Sequence, residues 1–178
     1  MTLRAFLREE TRAEHERVDA AYGAHDLADP RGYAAFLRAH HAALSGLPPL
    51  RPLGLPRLDQ RAALAADLGG LGVPLPPPLP RLILAGEPER LGAYYVVVGS
   101  RLGARVLADR LAATRAPHAA QNRYLTDRSA DAAWRRLRAV LSGPGPFPNP
   151  DERERVLRGA RAAFSHFEGA ARADEIAA

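Results

Sequence analysis

Proline sets the limits on how this chain can fold. The sequence holds 16 prolines, and most gather around 48–56, 74–80 and 143–150. Proline lacks the amide hydrogen and clashes with the preceding turn, so each cluster must fall between elements rather than inside one. Between the clusters, apolar residues recur at steps of three and four. Thr2 is placed to cap a helix on which Leu3, Phe6, Leu7, Thr11, His15, Val18 and Tyr22 share one side. Asp29-Pro30 opens a second helix, with Tyr33, Phe36, Leu37, His40 and Leu44 on its stripe. A short helix is expected over 58–68, closed by Gly69-Gly70, then a long apolar one over 88–114. Two more follow over 130–141 and 151–173. No β-branched run has a period of two, and no hairpin turn signal occurs. The expectation is an all-α chain in one domain, 1–178, with stiff proline connectors between its helices.

Composition narrows the function classes. With 47% hydrophobic and 25% charged residues, the 178-residue chain is globular and long enough to bury a sizeable core. It has no cysteine, which removes disulfides, iron–sulfur clusters, thiolate metal sites and cysteine nucleophiles. No stretch approaches the roughly 20 apolar residues of a membrane helix. The N-terminus turns acidic before a signal region forms, so a cytoplasmic protein without a membrane partner is expected. The 25 basic residues are all arginine and give a formal charge of +5. They raise a nucleic-acid reading, but they are spread among Asp and Glu rather than gathered on one recognition helix, and no nucleic-acid partner is expected.

Two features carry possible chemistry. His15 lies one turn after Thr11 and one turn before Asp19, the spacing at which a carboxylate can orient an imidazole through its second nitrogen. On spacing alone, a ligand to iron and a buried histidine satisfied by a backbone carbonyl both fit. Gly99 and Gly103 stand one turn apart inside a strong helical pattern, each costing ~1 kcal/mol relative to alanine. Either another helix packs closely there, or the backbone lies directly on a flat ligand.

The blocks LREETRAEHERVD, RAALAADL, GSRLGA preceded by Tyr94, and RVLRGARAAFSHFE, in this order, resemble the heme oxygenase family, particularly its short bacterial biliverdin-forming members. The resemblance implies an all-helical fold with haem between the first and fourth helices, and a ring-opening monooxygenase yielding biliverdin, carbon monoxide and ferrous iron. It assigns His15 as the iron ligand, with Thr11 four residues before it. Gly99, Ser100 and Gly103 fall on the catalytic face of the fourth helix. Arg8, Tyr94, Arg135 and Arg138 fall near positions that meet the haem propionates.

Two departures stand out. Ser100 takes the place of an aspartate common in the family, and Ala104 takes the place of a glycine. They motivate an alternative, a non-catalytic haem carrier or sensor on the same fold. No flavin or nicotinamide motif is present, so electrons are expected from a separate donor such as a ferredoxin or a flavoprotein reductase. A phytochrome is a possible acceptor of the biliverdin.

Overall fold

A computed structural model describes residues 1–142 and 145–176, and among them every regular element is helical. Helix α1 (Leu3–Glu10) begins where the Thr2 hydroxyl accepts from the Ala5 amide at 3.2 Å. Helix α2 (Arg12–Gly23) follows at once. The sequence led us to expect one helix here, and the structure breaks it at Thr11, with φ −111° and ψ 15°. The Thr11 hydroxyl donates to the Leu7 carbonyl at 2.7 Å, in competition with the backbone. Backbone bonds from Thr11 to Leu7 and from His15 to Thr11 persist, so the chain bends without stopping.

Asp29 caps α3 (Pro30–Gly46) by accepting from the Gly32 amide at 2.8 Å. Helix α4 (Arg61–Gly70) starts later than the periodicity suggests, because Asp59 draws the side chains of Arg57 and Arg61 together ahead of it, each at 2.7 Å. The long α5 (Glu87–Ala113) is where expected. The sequence pattern missed a one-turn α6 (Arg123–Thr126) and short 3-10 turns at Pro52–Gly54 and Pro117–Ala120. Helices α7 (Ser129–Ser142) and α8 (Pro150–Ile176) complete the fold. In the connector between them, Gly143 and Pro144 lie outside the described residues. The second proline cluster lies along α3, where Leu79 and Leu82 donate to the Ala42 and Gly46 carbonyls.

Helix α8 is the hub. It packs on α1, α2, α3 and most extensively α5. The contact with α5 is made backbone to backbone. A Cβ on Gly92 would lie 1.9 Å from the Val156 carbonyl oxygen, and one on Gly159 would lie 2.0 Å from that of Glu89. Fully buried Leu91, Ala93, Val156, Ala160 and Ala163 close around this crossing. On its other flank, α8 holds α2 through Arg17–Glu168 and Arg161–Glu14, both at 3.3 Å. The first half of α5 is thereby fixed, and its second half is free to form a wall. Among the described residues no helix is long and apolar enough to cross a membrane.

Gly92→Ala is expected to lower unfolding free energy by about 3 kcal/mol, because neither backbone can move without separating the two longest helices. Chemical denaturation measures this, and a change close to zero would contradict the proposed crossing.

Candidate functional site

A cleft of about 1310 Å³ opens between α1–α2 and α5, with a floor from α3 and α8. Its α5 wall runs from Tyr95 to Thr114, about 29 Å at the helical rise. Tyr95, Gly99, Gly103, Val106 and Arg110 fall on one stripe of that wall. In its middle there is only backbone. A Cβ added at Gly99 or Gly103 would meet nothing within 4 Å, in contrast to Gly92 two turns earlier. Among the described residues no helix packs on these two glycines, which sets aside the close-packing reading. Leu102 and Val106 flank them and stand 54% and 52% exposed. Apolar side chains left open along a concave wall mark a binding surface.

His15 faces this wall. Its side chain is 61% exposed, which sets aside the buried-histidine reading. The Asp19 carboxylate lies 3.0 Å from Nδ1, so it accepts the Nδ1 proton and leaves Nε2 as the nitrogen His15 offers. The Phe164 ring stands edge-on 5.8 Å away and supports the imidazole from the floor. Thr11 also lines the cleft, but its hydroxyl proton is committed to Leu7. Its effect is to bend α1 into α2, which sets the angle at which His15 approaches.

One end of the cleft is cationic. Arg4, Arg8 and Arg12 enter from α1 and α2 at four-residue spacing. Arg4 lies over the Trp134 ring, 5.9 Å from its centroid. Burial raises the Tyr95 hydroxyl pKa, and the charges of Arg4 and Arg8 partly offset this, which places all three side chains together. An arginine cluster of this kind suits carboxylates held bidentately.

Other expected residues are placed differently. Tyr94 is not in the cleft. One residue from Tyr95, it is turned by about 100° on a 3.6-residue helix, sits 1% exposed and donates to the Pro56 carbonyl at 2.7 Å. Burial pushes its pKa up to about 12, against the charge of Arg136. Arg135 and Arg138 are exposed on α7 and do not line the cleft, because α7 turns Ala130, Ala133, Leu137 and Leu141 inward and brings only Trp134 to the rim. Ser100 does line it, with its hydroxyl donating to the Val97 carbonyl at 2.9 Å. Ala104 is buried and is not among the cleft residues.

Sequence reasoning missed Arg4, Tyr95, Trp134 and the floor residue His40. Arg4 was visible as the partner of Arg8 one turn earlier. His40 is 9% exposed, and its Nδ1–H donates to the Phe36 carbonyl at 2.9 Å. Burial above all pushes its pKa down to about 3, and the charges of Arg101 and His25 add to this against the Phe36 hydrogen bond. His41 is also buried.

No protein-family model matches this sequence. A protein named heme oxygenase from Xanthomonas campestris pv. campestris (strain 8004) is 36% identical over 154 residues, spanning 78% of this chain and 88% of that protein. Among solved structures, the NO- and CO-bound heme oxygenase from Neisseria meningitidis matches with a TM-score of 0.74 at 21% identity, covering 98% of this chain and 92% of that one. That second likeness is one of fold.

Two measurements on the ligand-free protein follow. Gly103→Ala is expected to raise unfolding free energy by up to ~1 kcal/mol, since the methyl enters open space and removes the helix cost of glycine. The His40 pKa lies near 3 in the folded protein against 6.5 unfolded, so the unfolded chain binds the proton first. Stability therefore falls as pH drops from about 6.5 towards 3, and His40→Phe should reduce that slope. A residual slope remains from His41 and His166, whose pKa values burial also lowers.

Proposed function

The chain belongs to the heme oxygenase family, and we propose that its cleft seats haem between His15 and the glycine face of α5 and opens the ring to biliverdin, carbon monoxide and ferrous iron. The observation that carries this reading is the pairing of two walls. One presents an exposed imidazole whose Nδ1 is held by Asp19, and the other presents bare backbone at Gly99 and Gly103. A flat macrocycle with a central metal matches both at once.

The donor set suits the group. His15 offers Nε2 as the ligating nitrogen, and Asp19 fixes the ring orientation. Leu102 and Val106 exclude water from the macrocycle face. Arg4 and Arg8 meet the propionates, with Arg4 and Tyr95 in the roles the sequence had suggested for Arg135, Arg138 and Tyr94. Bound there, haem supplies oxygen activation and is itself the substrate, while the protein supplies position, dryness and protons. The Ser100 hydroxyl gives its own proton to Val97, so its lone pairs face the cleft and ordered water must carry the protons.

Electrons come from a separate donor, a ferredoxin or a flavoprotein reductase, steered by the arginine-rich surface. A cytoplasmic setting, and a phytochrome as one acceptor of the biliverdin, belong to the same proposal. Nucleic acid is not proposed as a partner, because Arg17, Arg57, Arg61 and Arg161 are engaged by carboxylates of the fold. No observation favours the carrier or sensor alternative. One of its two motives, Ala104, faces away from the cleft.

Titration with haem is expected to give a Soret band saturating at one equivalent, and reductant with oxygen should then turn the complex green. Asp19→Ala is expected to weaken haem binding by about tenfold through its effect on His15. A haem complex that forms normally but never yields biliverdin would return the reading to a carrier.

A further inference from the structure

Behind the α5 wall lies a buried cation that none of these roles uses. Arg101 follows Ser100 and falls between the two glycines of the wall, but its side chain is 9% exposed and turned away from the cleft. Beyond Gly99 the buried residues of α5 are Arg101, Ala104 and Leu111, so a charged side chain stands where an apolar anchor would hold the helix as well. The guanidinium donates to the Tyr124 carbonyl and lies 4.1 Å from the centroid of the Tyr124 ring. Tyr124 is fixed from the far side, where its amide and that of Arg123 donate to buried Asp67 at 2.8 and 3.0 Å.

Among the described residues no carboxylate pairs with this guanidinium, and its Nε is buried without a hydrogen-bond partner. Asp127 feels the charge at longer range, but its carboxylate is taken by Gln60 at 3.0 Å and by the Ser129 hydroxyl at 2.7 Å. A guanidinium keeps its proton in a protein interior, so the charge persists. Burying it without a counter-ion is costly, and a single hydrogen bond to a carbonyl does not require a charge.

We infer that Arg101 is a positioning residue that acts on the cleft through its charge rather than by contact: fixed behind the glycine segment of α5, it makes the potential at the cleft centre positive and favours the ferrous over the ferric state of the haem seated there. The inference rests on the reading of the cleft as a haem seat.

One helix thickness, about 10 Å, separates the two sides of α5. At an effective interior dielectric of about 20, a unit charge at that range favours an added electron roughly tenfold. The charge does reach the cleft. Burial above all pushes the pKa of the floor residue His40 down to about 3, and Arg101 adds to this against the Phe36 hydrogen bond. The other charges of the cleft are less effective at its centre. Arg8 and Arg12 are exposed at one end, and Asp19 on the opposite wall is 68% exposed, so water and salt screen all three. An electron from the separate donor therefore enters a site already biased to hold it.

The reduction potential of the haem complex tests this, once haem binding has been read by quenching of Trp134, the chain's one tryptophan. Arg101→Gln keeps a donor for the Tyr124 carbonyl and removes the charge. It should lower the ferrous-to-ferric ratio at a fixed potential about tenfold, a fall of about 59 mV in the midpoint. Arg101→Lys keeps the charge and should stay within about threefold of the parent. In the ligand-free protein, NMR titration should show His40 taking its second proton at higher pH in Arg101→Gln than in the parent. An unchanged midpoint or an unchanged His40 titration in Arg101→Gln would overturn the inference. A midpoint that falls about tenfold in Arg101→Lys would assign the effect to packing and overturn it as well, and this variant decides alone where Arg101→Gln does not fold. Absence of Trp134 quenching in the parent protein would instead overturn the haem reading itself, and the inference with it.

Discussion

The rest of the structure depends on the backbone-to-backbone crossing of α5 and α8 at Gly92 and Gly159. With no side chain between them, the two longest helices of the fold lock together, and α8 can then carry α2 and α3 at fixed distances from α5. The gap between α2 and α5 follows from that arrangement. It stays open without a protein side chain to prop it, because both its walls are tied to the same hub.

The same helix uses glycine in opposite ways two turns apart. At Gly92 the missing side chain is filled by Val156 and Ala160, and at Gly99 and Gly103 the space is left empty. Helix propensity is lost at each, and only the first is offset within the protein. In the proposed haem complex the second is offset by the ligand, whose flat face covers the exposed backbone with Leu102 and Val106 beside it. Across the cleft, the Asp19–His15 pair is pre-formed and exposed, so the proposed iron ligand is oriented before anything binds. Arg4, Arg8 and Arg12 then distinguish the two ends, so a ligand with carboxylates along one edge has one preferred way to enter.

Much of this was legible in the sequence, for definable reasons. Helix starts at Thr2 and Asp29 carry side-chain caps, and the one-turn spacing of His15 and Asp19 survives folding because it is local to one helix. What depended on rotation about a helix axis was less secure. Tyr94 and Tyr95 are adjacent in sequence and face opposite environments, and on α7 the step from Trp134 to Arg135 leaves the cleft. The bend at Thr11 comes from a hydroxyl that competes for a carbonyl, which a hydrophobic pattern cannot register. The glycine spacing at 99 and 103 was visible, but whether it served packing or binding was a tertiary question. His40 was hidden because its position comes from four different helices, α2, α3, α6 and α8.

The central claim is that His15, oriented by Asp19, is the nitrogen that holds the iron of a haem lying on α5. Resonance Raman spectroscopy of the ferrous haem complex reads that bond directly as an iron–imidazole stretching band. The account predicts the band in the parent protein, its loss in His15→Ala, and its return when free imidazole is added to that variant. A band that survives unchanged in His15→Ala would mean that another histidine holds the iron, and the cleft geometry described above would then have been assigned the wrong axis.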